Sequence, residues 1–552
     1  MKRWMIGIIA LLLISPEGLT QRELGRHWFK EMAEIPRLDP YDMLDPTGYM
    51  VFPAYDPVVK LSSGDLVYSW RPEFAGMTRR RLTRFNLFME EVWDTEFRID
   101  QDEQIFYHYE KTDTLVILSA LLDPRRKSHQ VIARFFEPDS GQMLRQELVE
   151  EFQGGSESPL FFVTSESEDV FLFFQLRREE GKRRVMYYTD YLNSRGEMGF
   201  RAMRYDQIHF RSTHRDLSTM YAGVIPMEDH KKEQLLDVSI DTQSNLYLSS
   251  YFRPDRLEVS FYQPASQTMT NLNFFEFPKA EELRYLYDTG FPPYIFEPGH
   301  AYLPMADRIE KGPEKGTKAF ELLHFDFEKE QVSVINHVDV HSSLLVAVEK
   351  SREDINNRRL KVFDQYVIRD VKRLPNGKTW MVTQYFSHDN FRGMSSGSQE
   401  VYRNMEQEVA ELVIFTFDTL GDPEQAIIIP TSQYIRNVRD RMNQYADLNY
   451  DLDRGELRIL LREDSGEKYN GPCRIYLRRV NLETGNVSPR EIVYDPDRRT
   501  HHAPYAFVEW INADIVQILS YEGDDERLYG VTVNMALPPL TQEEQTELRS
   551  RR

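Results

Sequence analysis

Residues 337–341 read HVDVH, so side chains that commonly bind metal ions alternate with valine. Alternate side chains of a β-strand point to the same face, and His337, Asp339 and His341 would therefore lie together. Two imidazoles and one carboxylate suit zinc or a similar divalent ion. The same pattern is typical of an outer strand whose polar face meets solvent while its valines pack inward. We prefer this second interpretation, because the sequence places no fourth ligand and no supporting partner. A divalent metal site stays the alternative.

Residues 393–397 read GMSSG, which matches the G-x-S-x-G pattern of hydrolase nucleophiles and makes Ser395 a candidate catalytic residue. His501 or His502 follows in the chain order of a hydrolase triad. That pattern requires a sharp strand-to-helix turn in a parallel sheet, whereas this segment is followed by β-hairpins without crossover helices. We therefore interpret the match as a Gly/Ser loop. The sequence contains no HExxH motif, P-loop, dinucleotide-binding fingerprint or CxxC pair, so it predicts no organic cofactor.

The composition is that of an acidic globular protein. The 552 residues carry a formal net charge of −21, and such a surface repels polyanions, which argues against nucleic acid as a partner. Cys473 is the single cysteine, so no disulfide can form within the chain and stability must come from burial. The abundance of Tyr and Phe favours strands over helices.

Residues 1–20 have the pattern of a cleaved signal peptide. Lys2 and Arg3 precede an apolar run at 4–14, and small residues lead to a mature start at Gln21. The run is too short to cross a bilayer core of about 30 Å, and no later segment is apolar enough, so we expect no stable membrane span. The pattern predicts a periplasmic or secreted protein. A buried N-terminal helix is the alternative.

Most of the remaining chain reads as short apolar strands separated by tight turns, which predicts an all-β fold. Hairpins are the clearest elements; one joins 131–136 to 143–149 through a PDSG turn. Each hairpin follows a short strand with less alternation, as expected of an inner strand that is covered on both faces. These strands are predicted at 65–70, 114–121, 169–176, 245–252, 378–386, 456–462 and 514–521.

Residues 238–248 read VSIDTQSNLYL, a strand, a turn and a second strand. This run resembles the strand-turn-strand of NHL-type and related β-propeller repeats. The resemblance covers one repeat and implies the fold alone.

The unit of about four strands recurs at the spacing expected of propeller blades. Seven clear units and a poorly marked one around Tyr302–Met305 predict a single β-propeller with eight four-stranded blades; seven blades are one alternative. Because the last unit lacks a fourth strand, we expect Tyr49–Phe52 to supply it and to pair the two chain ends. Two packed β-sandwich domains are the other alternative, although no linker-like segment lies near the middle of the chain.

The predicted organisation is a signal peptide at 1–20, an N-terminal arm at 21–47, the propeller at 48–536 and a polar C-terminal tail at 537–552. Helical spacing predicts insertions with helices at 281–287, 398–412 and 432–445. Long loops are predicted at 205–234, 278–300, 341–360 and 387–410.

Function concentrates on loops that a rigid scaffold projects together. We therefore expect a non-catalytic binding or scaffold module of the cell envelope, with a protein or a glycan as ligand. The alternative is a secreted hydrolase or lyase that acts on glycan or peptide from the central funnel. Such an enzyme would gather carboxylates with perturbed pKa values at the mouth of the ring, whereas a binding module would expose an apolar or aromatic patch there. A structural subunit of an envelope assembly is a third hypothesis.

Overall fold

The computed structural model describes part of the chain, and all structural statements below concern that part. The described residues are 23–28, 32–34, 58–72, 78–123, 125–154, 158, 160–178, 186–192, 198–203, 205–227, 233–252, 256–274, 294–309, 316–353, 366–389, 406–436, 447–464, 473–494, 507–522 and 527–536. Several predictions fall outside these residues, namely the signal peptide at 1–20, Tyr49–Phe52, Ser395, His501, His502 and the tail at 537–552.

The described strands form eight antiparallel sheets, the blades of a β-propeller. The first strand, β1 (Glu23–Trp28), belongs to the last blade. Blade 1 contains β2 (Met32–Glu34), β3 (Val58–Lys60), β4 (Leu66–Pro72), β5 (Arg79–Phe85) and β6 (Glu91–Arg98). Blade 2 contains β7 (Glu103–Lys111), β8 (Thr114–Asp123), β9 (Ser128–Phe136) and β10 (Met143–Gln153). Blade 3 contains β11 (Leu160–Thr164), β12 (Val170–Arg177), β15 (Gln207–His214) and β16 (Thr219–Pro226).

The hairpin of β13 (Met186–Leu192) and β14 (Met198–Met203) leaves blade 3 and extends the sheet of blade 4. Blade 4 itself contains β17 (Glu233–Ile240), β18 (Leu246–Phe252), β19 (Arg256–Gln263) and β20 (Thr268–Phe274). Blade 5 contains β21 (His300–Ile309), β22 (Gly316–Asp326) and β23 (Gln331–Asp339), followed by the helix α1 (Ser342–Glu353).

Blade 6 contains β24 (Tyr366–Arg373), β25 (Thr379–Asp389), β26 (Glu406–Phe417) and β27 (Pro423–Arg436). Blade 7 contains β28 (Asp447–Asp451), β29 (Glu456–Asp464), β30 (Cys473–Asn481) and β31 (Glu491–Tyr494). Blade 8 contains β32 (Phe507–Asn512), β33 (Ile515–Glu522), β34 (Arg527–Asn534) and β1.

Burial follows the position of a strand within its blade. The second strand is buried on both faces, as in β8, β12 and β18. The last strand is largely exposed, as in β6, β10 and β16. In the blades other than blade 5, the first strand therefore lies at the axis of the ring and the last at its rim. The strands predicted to be covered on both faces are confirmed as second strands.

Apolar side chains between neighbouring blades close the ring. Phe106 of blade 2 packs against Phe162 and Phe173 of blade 3, with ring centroids 5.0 and 6.3 Å apart. Further buried clusters join blades 3 and 4, 4 and 5, 5 and 6, 6 and 7, and 7 and 8. In a separate cluster, Ile511 of blade 8 packs with Val58 of blade 1. The eight-bladed propeller is thus confirmed, and the alternative of two β-sandwich domains is wrong.

The N-terminal strand β1 completes the last blade. It pairs with β34, from Glu23 opposite Val533 to Trp28 opposite Tyr529. The two chain ends therefore meet as predicted, and this edge of the sheet is covered. The prediction that Tyr49–Phe52 supplies the closing strand is wrong, because β1 occupies that edge. The arm predicted at 21–47 contributes β1 to blade 8 and β2 to blade 1.

The insertions differ from the prediction in several places. Strands β26 and β27 run through 406–412 and 432–436, where helical spacing predicts helices. Cross-strand pairing along this ladder overrides local propensity. Conversely, the helix α1 lies within the loop predicted at 341–360, and the strands β15 and β16 lie within the loop predicted at 205–234. Among the described residues, no helix combines the length and the apolar character that crossing a bilayer requires.

Candidate functional site

A cavity of about 680 Å³ opens on one face of the ring. Because its lining comes from the first strands and the turns that follow them in five consecutive blades, the cavity lies at the mouth of the axis; we call it the axial mouth. The volume falls within the range of about 300–1,000 Å³ that is usual for ligand sites. The lining segments, from blade 3 to blade 7, are 165–167, 240–242, 295–298, 372–375 and Leu452.

One turn geometry recurs at this face of the ring. The N–H of the fourth residue donates to the carbonyl of the first, for example Glu168 to Ser165 at 2.8 Å and Gly377 to Leu374 at 2.9 Å. The fourth residue has a positive φ, which glycine adopts without strain. Glu168 adopts it with a φ of 57°, and the turn of blade 3 therefore carries a carboxylate where glycine would be easier to accommodate. The residues at this position are Gly64, Glu168, Ser244, Gly377 and Gly455.

Asp241 fixes the turn of blade 4. Its Oδ1 accepts the N–H groups of Gln243 at 2.8 Å and of Asn245 at 2.9 Å. Its Oδ2 accepts the hydroxyl of Tyr247 at 2.9 Å, and that hydroxyl in turn accepts the N–H of Gly299 from blade 5 at 2.7 Å. The turns of two blades are thus tied together, and this part of the wall is held in shape without a ligand.

Side chains of opposite charge face each other around the axial mouth. Lys372 of blade 6 lies 3.9 Å from Glu166 of blade 3, and because these blades are not neighbours the ion pair crosses the mouth. Arg373 lies 3.4 Å from Glu297 of blade 5. The four side chains are between 34% and 52% exposed. Ion pairs of this kind contribute only about 0–1 kcal/mol to stability, so they can exchange partners with a charged ligand at little cost.

Glu509 of the first strand of blade 8 has an unusual electrostatic environment. Burial raises the pKa of Glu509 to about 7, with Lys60 of blade 1 opposing and Glu168 of blade 3 adding to the increase. Tyr107 of blade 2 hydrogen-bonds Glu168, and burial together with that carboxylate raises the pKa of Tyr107. A carboxyl group that titrates near neutral pH and senses a second carboxylate is suited to proton transfer.

The predicted metal ligands lie away from the axis. His337 and Asp339 belong to the outer strand β23, where His337 Nδ1 lies 2.9 Å from Glu321 Oε1 and Nε2 lies 3.2 Å from Asp339 Oδ1. Burial alone would lower the pKa of His337, but the hydrogen bonds with Glu321 and Asp339 outweigh it and raise the pKa. His341 lies beyond the end of β23 and lines the same surface cavity as His337 and Asp339. Both ring nitrogens of His337 thus face carboxylates. Metal binding by His337, Asp339 and His341 stays a prediction.

Sequence analysis did not single out Glu168, Lys372 or Glu509. Lys372 and Glu509 lie in first strands, β24 and β32, which the sequence marks less clearly than the apolar second strands. Once the second strands are located, the charged residues just before them are expected at the axis. The run SESED at 165–169, directly ahead of β12, is such a signal.

The fold and the axial mouth define the chain as an eight-bladed β-propeller with a charged axial cavity. No protein-family model matches the chain, and no curated protein sequence matches it. Among solved structures, the β-propeller domain of the Trilobed protease from Pyrococcus furiosus is similar at 8% identity and a TM-score of 0.32, covering 79% of this chain and 96% of that one.

The WD40 domain of SCAP from fission yeast is similar at 7% identity and a TM-score of 0.33, over 88% of this chain and 91% of that chain. A mutant of Synechocystis apocarotenoid oxygenase is similar at 11% identity and a TM-score of 0.30, over 70% of this chain and 74% of that chain. Scores this low carry no inference about function.

Proposed function

We propose that the chain is an exported, non-catalytic β-propeller that binds a polypeptide segment at the axial mouth. The observation that carries the proposal is the pairing of opposite charges around an apolar wall. Lys372 and Arg373 of blade 6, together with Glu166 of blade 3 and Glu297 of blade 5, offer partners for side chains of either sign.

The apolar part of the wall supports the same proposal. Phe296 and Leu452 line the cavity, and Leu452 is 45% exposed. Exposed apolar groups rimmed by charges are typical of sites for protein ligands. A neutral glycan carries no charge that could exchange with the ion pairs of Lys372 and Arg373. We therefore favour a polypeptide ligand over a glycan.

The test is a selection of peptides from a displayed library on the immobilised protein, with a glycan array in parallel. Selected peptides are titrated by fluorescence polarisation against the wild type and the charge-reversed variant Lys372→Glu/Arg373→Glu. The control is Arg145→Glu, a residue on the exposed strand β10 that is 57% exposed. We expect binding to weaken at least about tenfold, or about 1.4 kcal/mol, in the axial variant alone. Two results would contradict the proposal: equal peptide affinity in the axial variant and in Arg145→Glu, or binding of glycans without binding of peptides.

Catalysis by a hydrolase or lyase is the second candidate, and the raised pKa of Glu509 favours it. In that role Glu509 would act as the general acid on a glycan or peptide within the axis. The variant Glu509→Gln distinguishes the two functions. Loss of turnover with retained binding supports an enzyme, whereas unchanged behaviour towards the selected peptides supports a binding module.

The proposal of export rests on the charge and apolar pattern of residues 1–20. Mass spectrometry of the protein from its native host should find a mature chain that starts at Gln21, recovered from the periplasm or the medium. An intact N-terminus on a protein from the cytoplasm would contradict it.

A further inference from the structure

Four polar or aromatic side chains lie together at one end of blade 5. Tyr302 of β21 is opposite His324 of β22, and His300 is opposite Asp326. Because the side-chain period of a strand is two, all four point to the same face. Tyr302 packs in the cluster that joins blade 5 to blade 6, so this face is directed towards blade 6. The register of the hairpin thus brings His300 next to His324 and Asp326, although His324 lies 24 residues further along the chain.

The separations of the ligating atoms suit a single metal ion. His300 Nδ1 lies 3.0 Å from His324 Nε2 and 4.0 Å from Asp326 Oδ1, and all three atoms lie within 4.8 Å of one another. Ligands at about 2.0–2.2 Å from a tetrahedral zinc ion are about 3.3 Å apart. The observed separations lie on either side of that value. Each residue thus offers one ligand atom to a common position.

Neighbouring groups hold these side chains in position. The Asp326 carboxylate accepts the N–H of Lys329 on Oδ1 at 2.9 Å and the Lys329 ammonium on Oδ2 at 2.7 Å. The ring of Tyr302 stacks on His324 with centroids 4.6 Å apart and planes at 6°. The Tyr302 hydroxyl donates to Glu297 at 2.8 Å. Hydrogen bonds to a ligating carboxylate are usual at metal sites, where they orient the ligand.

We propose that His300, His324 and Asp326 bind one divalent transition-metal ion, with zinc as the ion that best fits two imidazoles and a carboxylate. Asp326 is 3% exposed and the side chain of His300 is 17% exposed. Three protein ligands leave the fourth position of a tetrahedral ion to water or another ligand. The site differs from the HVDVH strand, where one imidazole uses both nitrogens on carboxylates.

The ion has a structural consequence for blade 5. In the described residues this blade has three regular strands, and its axial position is taken by a single bridge between Tyr294 and Tyr302. An ion held by β21 and β22 would fasten the end of the blade next to that bridge. Because Glu297 lines the axial mouth and contacts Tyr302, the ion would also stiffen the wall of the cavity.

Isothermal titration calorimetry of the EDTA-treated full chain with ZnCl₂ tests the proposal. We expect one zinc ion per chain in the wild type and in the control His337→Gln. His300→Gln and His324→Gln should each weaken zinc binding by more than the roughly 10- to 100-fold that loss of a supporting partner costs. Three results would overturn the proposal: no zinc binding at one ion per chain, zinc affinity in His300→Gln and His324→Gln equal to that of the wild type, or loss of zinc binding in His337→Gln alone.

A second measurement uses the wild type and does not depend on how the variants fold. Zinc should protect His300 and His324 from modification by diethyl pyrocarbonate, as read by mass spectrometry, while His337 stays reactive. It should also raise the unfolding temperature of the wild type. Equal modification of His300 and His324 with and without zinc would overturn the proposal.

Discussion

Replacing Glu509 by glutamine should change how the stability of the propeller depends on pH. Burial raises the pKa of this carboxyl group to about 7 from its ordinary value of 4.5. The folded chain therefore holds the proton more tightly than the unfolded chain does. Stability from this group is fully present below about pH 4.5 and is lost as the pH rises through about 7. Glutamine keeps the shape of the neutral acid and does not ionise.

The two pKa values give the magnitude. At about 1.4 kcal/mol per pH unit, the difference between 4.5 and about 7 corresponds to about 3 kcal/mol of unfolding free energy. Urea unfolding of both proteins at pH 5, 6, 7 and 8 measures it. The wild type should lose stability relative to Glu509→Gln across this range, and at pH 8 the variant should be the more stable protein. Groups that titrate in both proteins cancel in the comparison.

The matched control is Glu147→Gln, a glutamate on β10 whose side chain is 50% exposed. Its pH profile should run parallel to that of the wild type. If Glu509→Gln also gives a parallel profile, Glu509 is ionised at neutral pH at no cost, and the electrostatic description of the axis is wrong. The proposed catalytic alternative would then lose its main support.

Two further predictions concern stability. Glu103→Gln should lower the unfolding free energy by about 3–5 kcal/mol, because Arg134 would lose its buried counter-charge. The Arg134 guanidinium donates to Glu103 Oε2 at 2.9 Å, and the side chains of Arg134 and Glu103 are 3% and 0% exposed. A loss below about 1 kcal/mol in urea unfolding would contradict this prediction. A chain that begins at residue 32 lacks the five residue pairs of β1 with β34. At about 1 kcal/mol for each hydrogen bond lost, the shortened chain should unfold at a lower urea concentration than the full chain. It should also associate through the free edge of β34. Removal of 537–552 serves as the control. An unchanged midpoint and a monomer by light scattering would argue against β1 as the closing strand.

The fold could be predicted from the sequence wherever burial leaves a local pattern. The second strands, such as β8 and β12, are buried on both faces and read as apolar runs. Blade 5 is poorly marked in the sequence, and among the described residues its axial position is held by the bridge between Tyr294 and Tyr302. The closing strand was misplaced for a different reason, since the pairing of Glu23 with Val533 depends on contact between opposite ends of the chain.

The candidate site was harder to predict because it depends on register and on the closed ring. His324 and Asp326 show the same alternation as the HVDVH segment, but their partner His300 is identified only by the pairing of β21 with β22. Glu509 and Glu168 belong to blades on different sides of the axis, and no sequence spacing connects them. Local patterns thus determine the blades, whereas the chemistry at the axis arises from their circular arrangement.

The position of β1 imposes an order on biosynthesis. Glu23–Trp28 is made before every other described strand, yet its partner β34 is made after all the others. During translation β1 therefore has no β34 to pair with until almost the whole polypeptide has been made. A chain that ends before Arg527 lacks β34, so β1 would be free to pair with the exposed sheet edge of another chain. Closure of the propeller therefore requires complete synthesis of the chain.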